Sequence, residues 1–245
     1  MNKPDYTSLE LPGPPADRPY VLLNMVTSAD GKAVIDGTEK GIGSRTDQRL
    51  MRELRVNADA VLAGSGTLRA SGVSARLDDA ALEQLRVSRG KRPSPFSAVI
   101  SRLGNLPLER AFFTAPDIDG IVYLSTSAPA AARAAVVATG RTVVDVEAGD
   151  ELRAALRHMR RELDARVLLC EGGPDVNAQL FALGFIDEFF LTLGPVIVGG
   201  RDSITAVEGP APFPLDQVKR LELLSAVPNA ETSEIYLRYR VHYPA

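Results

Sequence analysis

This chain of 245 residues holds one cysteine and two histidines, and each scarcity closes off a class of chemistry. The lone Cys170 cannot build an intrachain disulfide framework or a multi-cysteine zinc site, and a single thiol suits a reducing cytoplasm. Its apolar neighbours predict a buried, inert thiol. His158 sits among arginines and His242 near the C-terminus, so neither is placed for catalysis, and no metal site is expected. No apolar run approaches the roughly 18 residues of a membrane span. The N-terminus shows no basic segment leading into an apolar stretch, so no secretory leader is expected. A net charge of −3 lacks the basic excess that a nucleic-acid partner demands. No Gly-x-Gly-x-x-Gly opens the first strand–helix unit, which leaves a Rossmann dinucleotide fold without support.

What remains is an ordinary globular composition, 45% hydrophobic and 24% charged. Residues 1–19 carry Pro4, Pro12, Pro14, Pro15 and Pro19 and read as an extended arm lying on the surface or on a partner chain. From residue 20 to 245 no linker or repeat interrupts the pattern, so one domain is expected. Apolar strands are predicted at Tyr20–Val26, Ala60–Ala63, Ser97–Ser101, Gly120–Ser125, Thr142–Val146, Val167–Cys170 and Glu188–Leu193. Two more, near Leu221–Ala226 and Glu234–Val241, close the chain. Helices are predicted at Thr46–Val56 with Ser44 as N-cap, Ala128–Ala138, Glu151–Leu163 and Pro174–Leu183. Ser28–Lys32 reads as a turn closing a short hairpin into Ala33–Ile35. This order implies helices flanking a largely parallel sheet, with antiparallel strands added late.

Three turns that follow apolar strands carry the chemistry: Gly64-Ser-Gly-Thr67, Ser101-Arg102 and Glu171-Gly172-Gly173. In an open α/β sheet they would gather at the carboxyl edge, where ligands bind. The glycine pair lets bare backbone N–H groups approach a diphosphate, and a helix starting at Pro174 adds its positive end. The same pair also reads as a tight turn that requires glycine. Thr67 could hydrogen-bond a diphosphate oxygen. Ser101 and Arg102 suit a phosphomonoester, which points to NADPH over NADH; a solvated surface charge is the other reading of Arg102.

Five blocks in this order carry a resemblance. They are Tyr20–Lys32 ending Ser-x-Asp-Gly-Lys, Leu54-Arg55 with Ala58–Val61, Gly64-x-Gly-Thr67, Glu171-Gly-Gly-Pro-x-x-Asn177, and Gly194-Pro-x-x-x-Gly-Gly200. With them the chain resembles the reductase domain of riboflavin biosynthesis over most of residues 19–205. Gly43–Asp47 looks like the free-standing bacterial branch, and the His-x-Glu and Pro-Cys-x-x-Cys of a zinc deaminase are missing.

The resemblance implies a dihydrofolate-reductase-like α/β fold and NADPH-dependent reduction of a ribosylaminopyrimidine 5′-phosphate to its ribitylamino form. It also implies a cytoplasmic homodimer. By position it places Val26, Gly41, Gly64, Thr67, Ser71, Ser101, Arg102 and Gly172, Gly173, Pro174, Asp175, Val176 and Asn177 at the cofactor. Asn24, Arg55, Val73, Arg76 and Glu171 fall at the substrate, with the two arginines on its phosphate. Asn24 stands where relatives often carry Lys, and Ser71 replaces a common Asp.

The residues themselves leave several roles open. Arg55 also reads as a helix-end cation, Arg76 as a solvated charge and Glu171 as a salt-bridged carboxylate. Glu171 and Asp30 are the candidate catalytic groups, although Asp-Gly is also a common structural turn. Asp47, early in its helix, keeps open a pterin reductase. A non-catalytic NADPH-binding module is a third reading, with the lost Asp at 71 marking a dead site.

Overall fold

The computed structural model describes residues 3–244; Met1 and Asn2 of the expected arm and the terminal Ala245 lie outside the described residues. The strands are β1 (Tyr20–Ser28), β2 (Ala60–Gly64), β3 (Phe96–Ser101), β4 (Gly120–Ser125), β5 (Thr142–Val146), β6 (Val167–Cys170), β7 (Glu188–Gly194), β8 (Arg220–Asn229) and β9 (Glu234–His242). They form one nine-stranded sheet in the order β5-β4-β3-β2-β6-β1-β7-β9-β8. Pairing is parallel from β5 through β7 and antiparallel from β7 to β9 and β9 to β8. The mixed α/β class with a mostly parallel sheet and late antiparallel strands is therefore the one found.

The helices are α1 (Arg45–Asn57), α2 (Ser65–Ala70), α3 (Ala80–Ser88), α4 (Ala111–Thr114), α5 (Ala130–Val137), α6 (Glu151–Glu162) and α7 (Pro174–Ala182). A crossover between parallel strands is almost always right-handed, so the direction of each step selects the face its helix covers. From β1 to β5 the chain steps one way, and Leu50 and Leu54 of α1 pack with Leu22, Val61 and Leu169. On that same face Leu68, Phe112 and Val136 meet Val99, Val122 and Leu124. From β5 through β6 to β7 the chain steps back. Leu152, Leu156 and Met159 of α6, with Val176 and Leu180 of α7, pack with Leu23, Leu62, Leu168 and Cys170 on the opposite face. Covered on both sides, β6 is an unbroken apolar run rather than an alternating one.

Two features differ from expectation, and the arm takes one of its two expected places. The turn at Ser28–Lys32 forms, with Ser28 N donating to Lys32 O at 2.8 Å, but no hairpin follows. Both edges of β1 are already taken, by β6 and by β7, so the chain leaves the sheet and Lys32 bridges Thr205 instead. Helix α3 was not anticipated. Asp79 caps it, accepting from Ala81 N and Leu82 N, and its Arg86 is fully buried and donates to the carbonyls of Arg55, Val56 and Ala58. Those carbonyls are left unpaired at the end of α1, so α3 supplies the C-cap of another helix. The proline-rich arm, finally, packs on its own chain. Tyr6 is buried edge-on against Phe190, its N–H donates to Glu53, and Asn57 donates to its carbonyl. Among the described residues no helix is long and apolar enough to cross a membrane.

Gly194 ends β7 where the 36–43 loop crosses it. A Cβ there would lie 2.3 Å from the backbone oxygen of Ile42, which has no rotamer to yield. Gly194→Ala is expected to cost about 1–3 kcal/mol or more, as overpacking does, measured as a drop in the urea midpoint with an unchanged slope.

Candidate active site

Strands β2 and β6 are neighbours whose chains depart to opposite faces, which opens a crevice beyond their carboxyl ends. The two turns touch there. Gly64 N donates to Gly172 O at 3.0 Å, and Glu171 N to Leu62 O at 3.0 Å. A Cβ on Gly64 would meet Val176 Cγ2 at 2.9 Å, and one on Gly173 would meet Thr67 Oγ1 at 3.1 Å. Gly172 has φ +91, a region that disfavours side chains. The backbone favours glycine at 172, and a side chain at 64 or 173 would force Val176 or Thr67 to shift. The result is a shelf of bare backbone beside the N-terminus of α7, where Pro174 occupies the first turn.

A cleft of about 1540 Å³ runs along this edge. Its walls include Asn24, Met25 and Val26 of β1, the Gly64–Thr67 turn, Ser71 and Val73, Ser101 and Arg102, and Glu171 through Val176. The sequence-derived set is thus largely gathered in one place. Four members are not: Gly41 stands in an exposed loop, the Asn177 side chain is buried, donating to Ala206 O and accepting from Cys170 Sγ, and Arg76 and Asp30 lie outside the cleft lining. Burial pushes the Cys170 thiol up to about 12. Ser71 donates its hydroxyl to Glu39 across the cleft.

The charged residues are arranged differently from the expected pair of phosphate-binding arginines. Arg55 is buried and donates twice to Glu171, at 2.7 Å each, with a third bond to Arg76 O at 2.6 Å. Arg76 turns away and pairs through two nitrogens with Asp117, at a separate depression of about 410 Å³. The two guanidiniums are not brought together as free donors. Cations without a carboxylate partner among the described residues do line the main cleft: Arg102, and also Arg69 and Arg110, which donate to the backbone carbonyls of Asn105 and Arg69. Read locally, Gly64–Thr67 is a turn, which leaves Arg69 without a place in the site. That turn begins α2, which carries Arg69 in its last turn.

Asp30 is no proton donor in this arrangement. Its carboxylate accepts from Ser28 Oγ (2.6 Å), Val198 N (3.0 Å) and Gly199 N (2.7 Å), and tethers two loops. The Ser28 hydroxyl and the two amides hold its pKa down at about 2, so it stays ionised. The carboxyl of Asp47 is held differently. It lies in the first turn of α1 and lines the cleft. Burial, assisted by the charge of Glu234, raises its pKa to about 6 against a bond from Thr192 that favours the ionised form. The helix position of Asp47 is legible in the sequence. Its environment comes from β7 and β9, far away in the chain.

An open α/β sheet with an amide-floored cleft at its switch point defines a nucleotide-using enzyme class. The model of the RibD C-terminal domain matches residues 19–227, and the chain belongs to that family. It is 30% identical over 207 residues to the 2,5-diamino-6-ribosylamino-4(3H)-pyrimidinone 5′-phosphate reductase of Archaeoglobus fulgidus, covering 84% of this chain and 93% of that one. With the protein of the same name from Methanothermobacter thermautotrophicus it shares 32% over 214 residues, covering 84% and 91%. The fold matches a pyrimidine reductase-like protein of Corynebacterium diphtheriae with TM-score 0.81 at 22% identity, over 92% of this chain and 93% of that one.

A carboxyl whose pKa is raised on folding binds its proton more tightly in the native state, so stability falls as pH climbs from the unfolded to the folded value. Asp47→Asn is therefore expected to be more stable than the parent at about pH 8 and no more stable at about pH 4. Urea titrations at both pH values check this.

Proposed function

We propose that this chain reduces a 5-amino-6-ribosylaminopyrimidine 5′-phosphate to its ribitylamino form with NADPH. The diamino pyrimidine named for the two archaeal relatives is the favoured base. The observation that carries this reading is the meeting of two features in one cleft. The Gly64–Thr67 and Glu171–Gly173 turns form an amide shelf beside the α7 N-terminus, and the Arg55–Glu171 pair and Asp47 stand in the same cavity.

The residues fit a dinucleotide. The side-chain-free backbone at Gly172 and Gly173, the Gly173 amide and the Thr67 hydroxyl suit a pyrophosphate. Arg102, exposed and without an ion pair among the described residues, suits the 2′-phosphate that distinguishes NADPH, and Arg69 and Arg110 add positive charge along the same cleft. When bound, the cofactor supplies a hydride to the former anomeric carbon of the ring-opened imine. The imine nitrogen must gain a proton in the same reaction. Asp47, whose pKa burial raises to about 6, keeps a larger protonated fraction near neutrality than an ordinary carboxyl and is the proton source. Arg55 fixes both oxygens of Glu171, so that carboxylate serves as a rigid acceptor for the amino and N–H edge of the pyrimidine. Asn24 offers a neutral amide where a charged residue is common.

A homodimer is part of the proposal. The β8–β9 edge leaves Leu221, Leu223 and Ile235 exposed, an apolar surface suited to a second copy. A cytoplasmic location fits the unpaired Cys170.

Purified protein supplied with the diamino ribosylaminopyrimidine phosphate should consume NADPH and release the ribitylamino product; no turnover with this substrate or its deaminated form overturns the proposal. Asp47→Asn is expected to lose about 10²–10⁴ in kcat/KM and the limb of the pH profile near 6. Arg102→Ala should weaken NADPH about ten- to a hundredfold while sparing NADH. Equal loss for both removes Arg102 from the 2′-phosphate.

A further inference from the structure

Glu234 lies at the start of β9 and is 1% exposed, yet no cation pairs with it among the described residues. A buried carboxylate is costly unless hydrogen bonds replace its hydration. Here three donors do so. Ser44 N reaches Oε1 at 2.6 Å, Ser44 Oγ reaches Oε2 at 2.7 Å, and the Tyr236 hydroxyl reaches Oε2 at 2.5 Å. Ser44 is the N-cap of α1, and the same hydroxyl accepts from Thr46 N at 3.0 Å and Asp47 N at 3.5 Å. The positive end of α1 therefore faces the Glu234 carboxylate through its cap. A glutamate 190 residues away in sequence sets where α1 begins.

We propose that Glu234 is a positioning residue for the reduction, fixing the first turn of α1 and with it the Asp47 carboxyl in the cleft. The inference rests on the reductase reading for its consequence in turnover, but not for its structural content. Other groups could contribute to the same effect. Tyr236 of β9 also faces this corner, and Tyr6 of the arm feels the charge of Asp47. Thr192 of β7 bonds Asp47, Arg238 is engaged with Glu188, and Glu39, Asp78 and the Arg55–Glu171 pair stand elsewhere in the cleft. Among these, Glu234 is the carboxylate whose charge acts on Asp47 and favours its protonated form. One side chain thus does two things: it anchors the helix and keeps a proton on the acid that the helix carries.

The test is Glu234→Gln, which keeps the shape and an acceptor for Ser44 but removes the charge. The carboxylic C=O infrared band of Asp47, assigned by its loss in Asp47→Asn, is titrated in the free protein. The expected result is a fall of about three- to thirtyfold in the proton affinity of Asp47. The same downward displacement should appear in the alkaline limb of kcat/KM for the pyrimidine, where Asp47 loses its proton, with kcat affected more than KM for NADPH. An unmoved Asp47 titration in a folded Glu234→Gln protein overturns the proposal. Should that variant fail to fold, Glu234→Asp, which withdraws the carboxylate by one methylene, must move the titration in the same direction by a smaller factor; no movement overturns it. Absence of turnover in the parent would sink the reductase reading alone, because the infrared titration needs no substrate.

Discussion

The handedness of the crossovers is the constraint on which this molecule depends. Right-twisted parallel strands accept connections of one hand, so reversing the direction of travel across the sheet moves the next helix to the other face. The chain reverses after β5 and inserts β6 between β2 and β1. From then on two adjacent strands send their chains apart, and the gap between them cannot be filled by either connection. The cleft is the geometric remainder of that reversal. Glycines at 64, 172 and 173 keep the gap lined by backbone, and Val176 and Thr67 press against them so closely that a methyl group would intrude.

Much of this was readable from residue order. Apolar runs at 60–64, 96–101, 120–125 and 167–170 are buried on both faces and show up as continuous hydrophobic segments. The N-cap Ser44 and the helix after it follow from local chemistry. The failures share a cause in contacts between distant segments. A Ser-x-Asp-Gly-Lys turn suggests a hairpin locally, but β1 has no free edge, a fact determined by residues 167–194. Helix α3 has modest amphipathic character; its identity as a cap for α1 depends on a buried Arg86 that reads as a surface charge. The substrate arginines were expected as a free pair, whereas Arg55 is saturated by Glu171 and Arg76 by Asp117, partners 116 and 41 residues away.

The polar interior is organised around the two ends of α1. Its C-terminal carbonyls receive a guanidinium that has no carboxylate partner among the described residues, and burial brings Arg86 down to about 10. Its N-terminal amides are closed by Ser44, which leans on Glu234. Each end therefore holds a charge of the sign its dipole favours. Between them the helix displays Asp47, Met51 and Arg55 to the cleft and Leu50 and Leu54 to the sheet. A side chain on this helix is placed by four separate parts of the chain.

The opening segment is the fourth of these. Tyr6 sits under α1 against Phe190, Lys3 and the Tyr6 amide converge on Glu53, and Asn57 grips the Tyr6 carbonyl. A stretch that reads as an extended surface arm thus buries one anchoring side chain, Tyr6. Any extension grafted ahead of it has to emerge without prising the tyrosine from its seat.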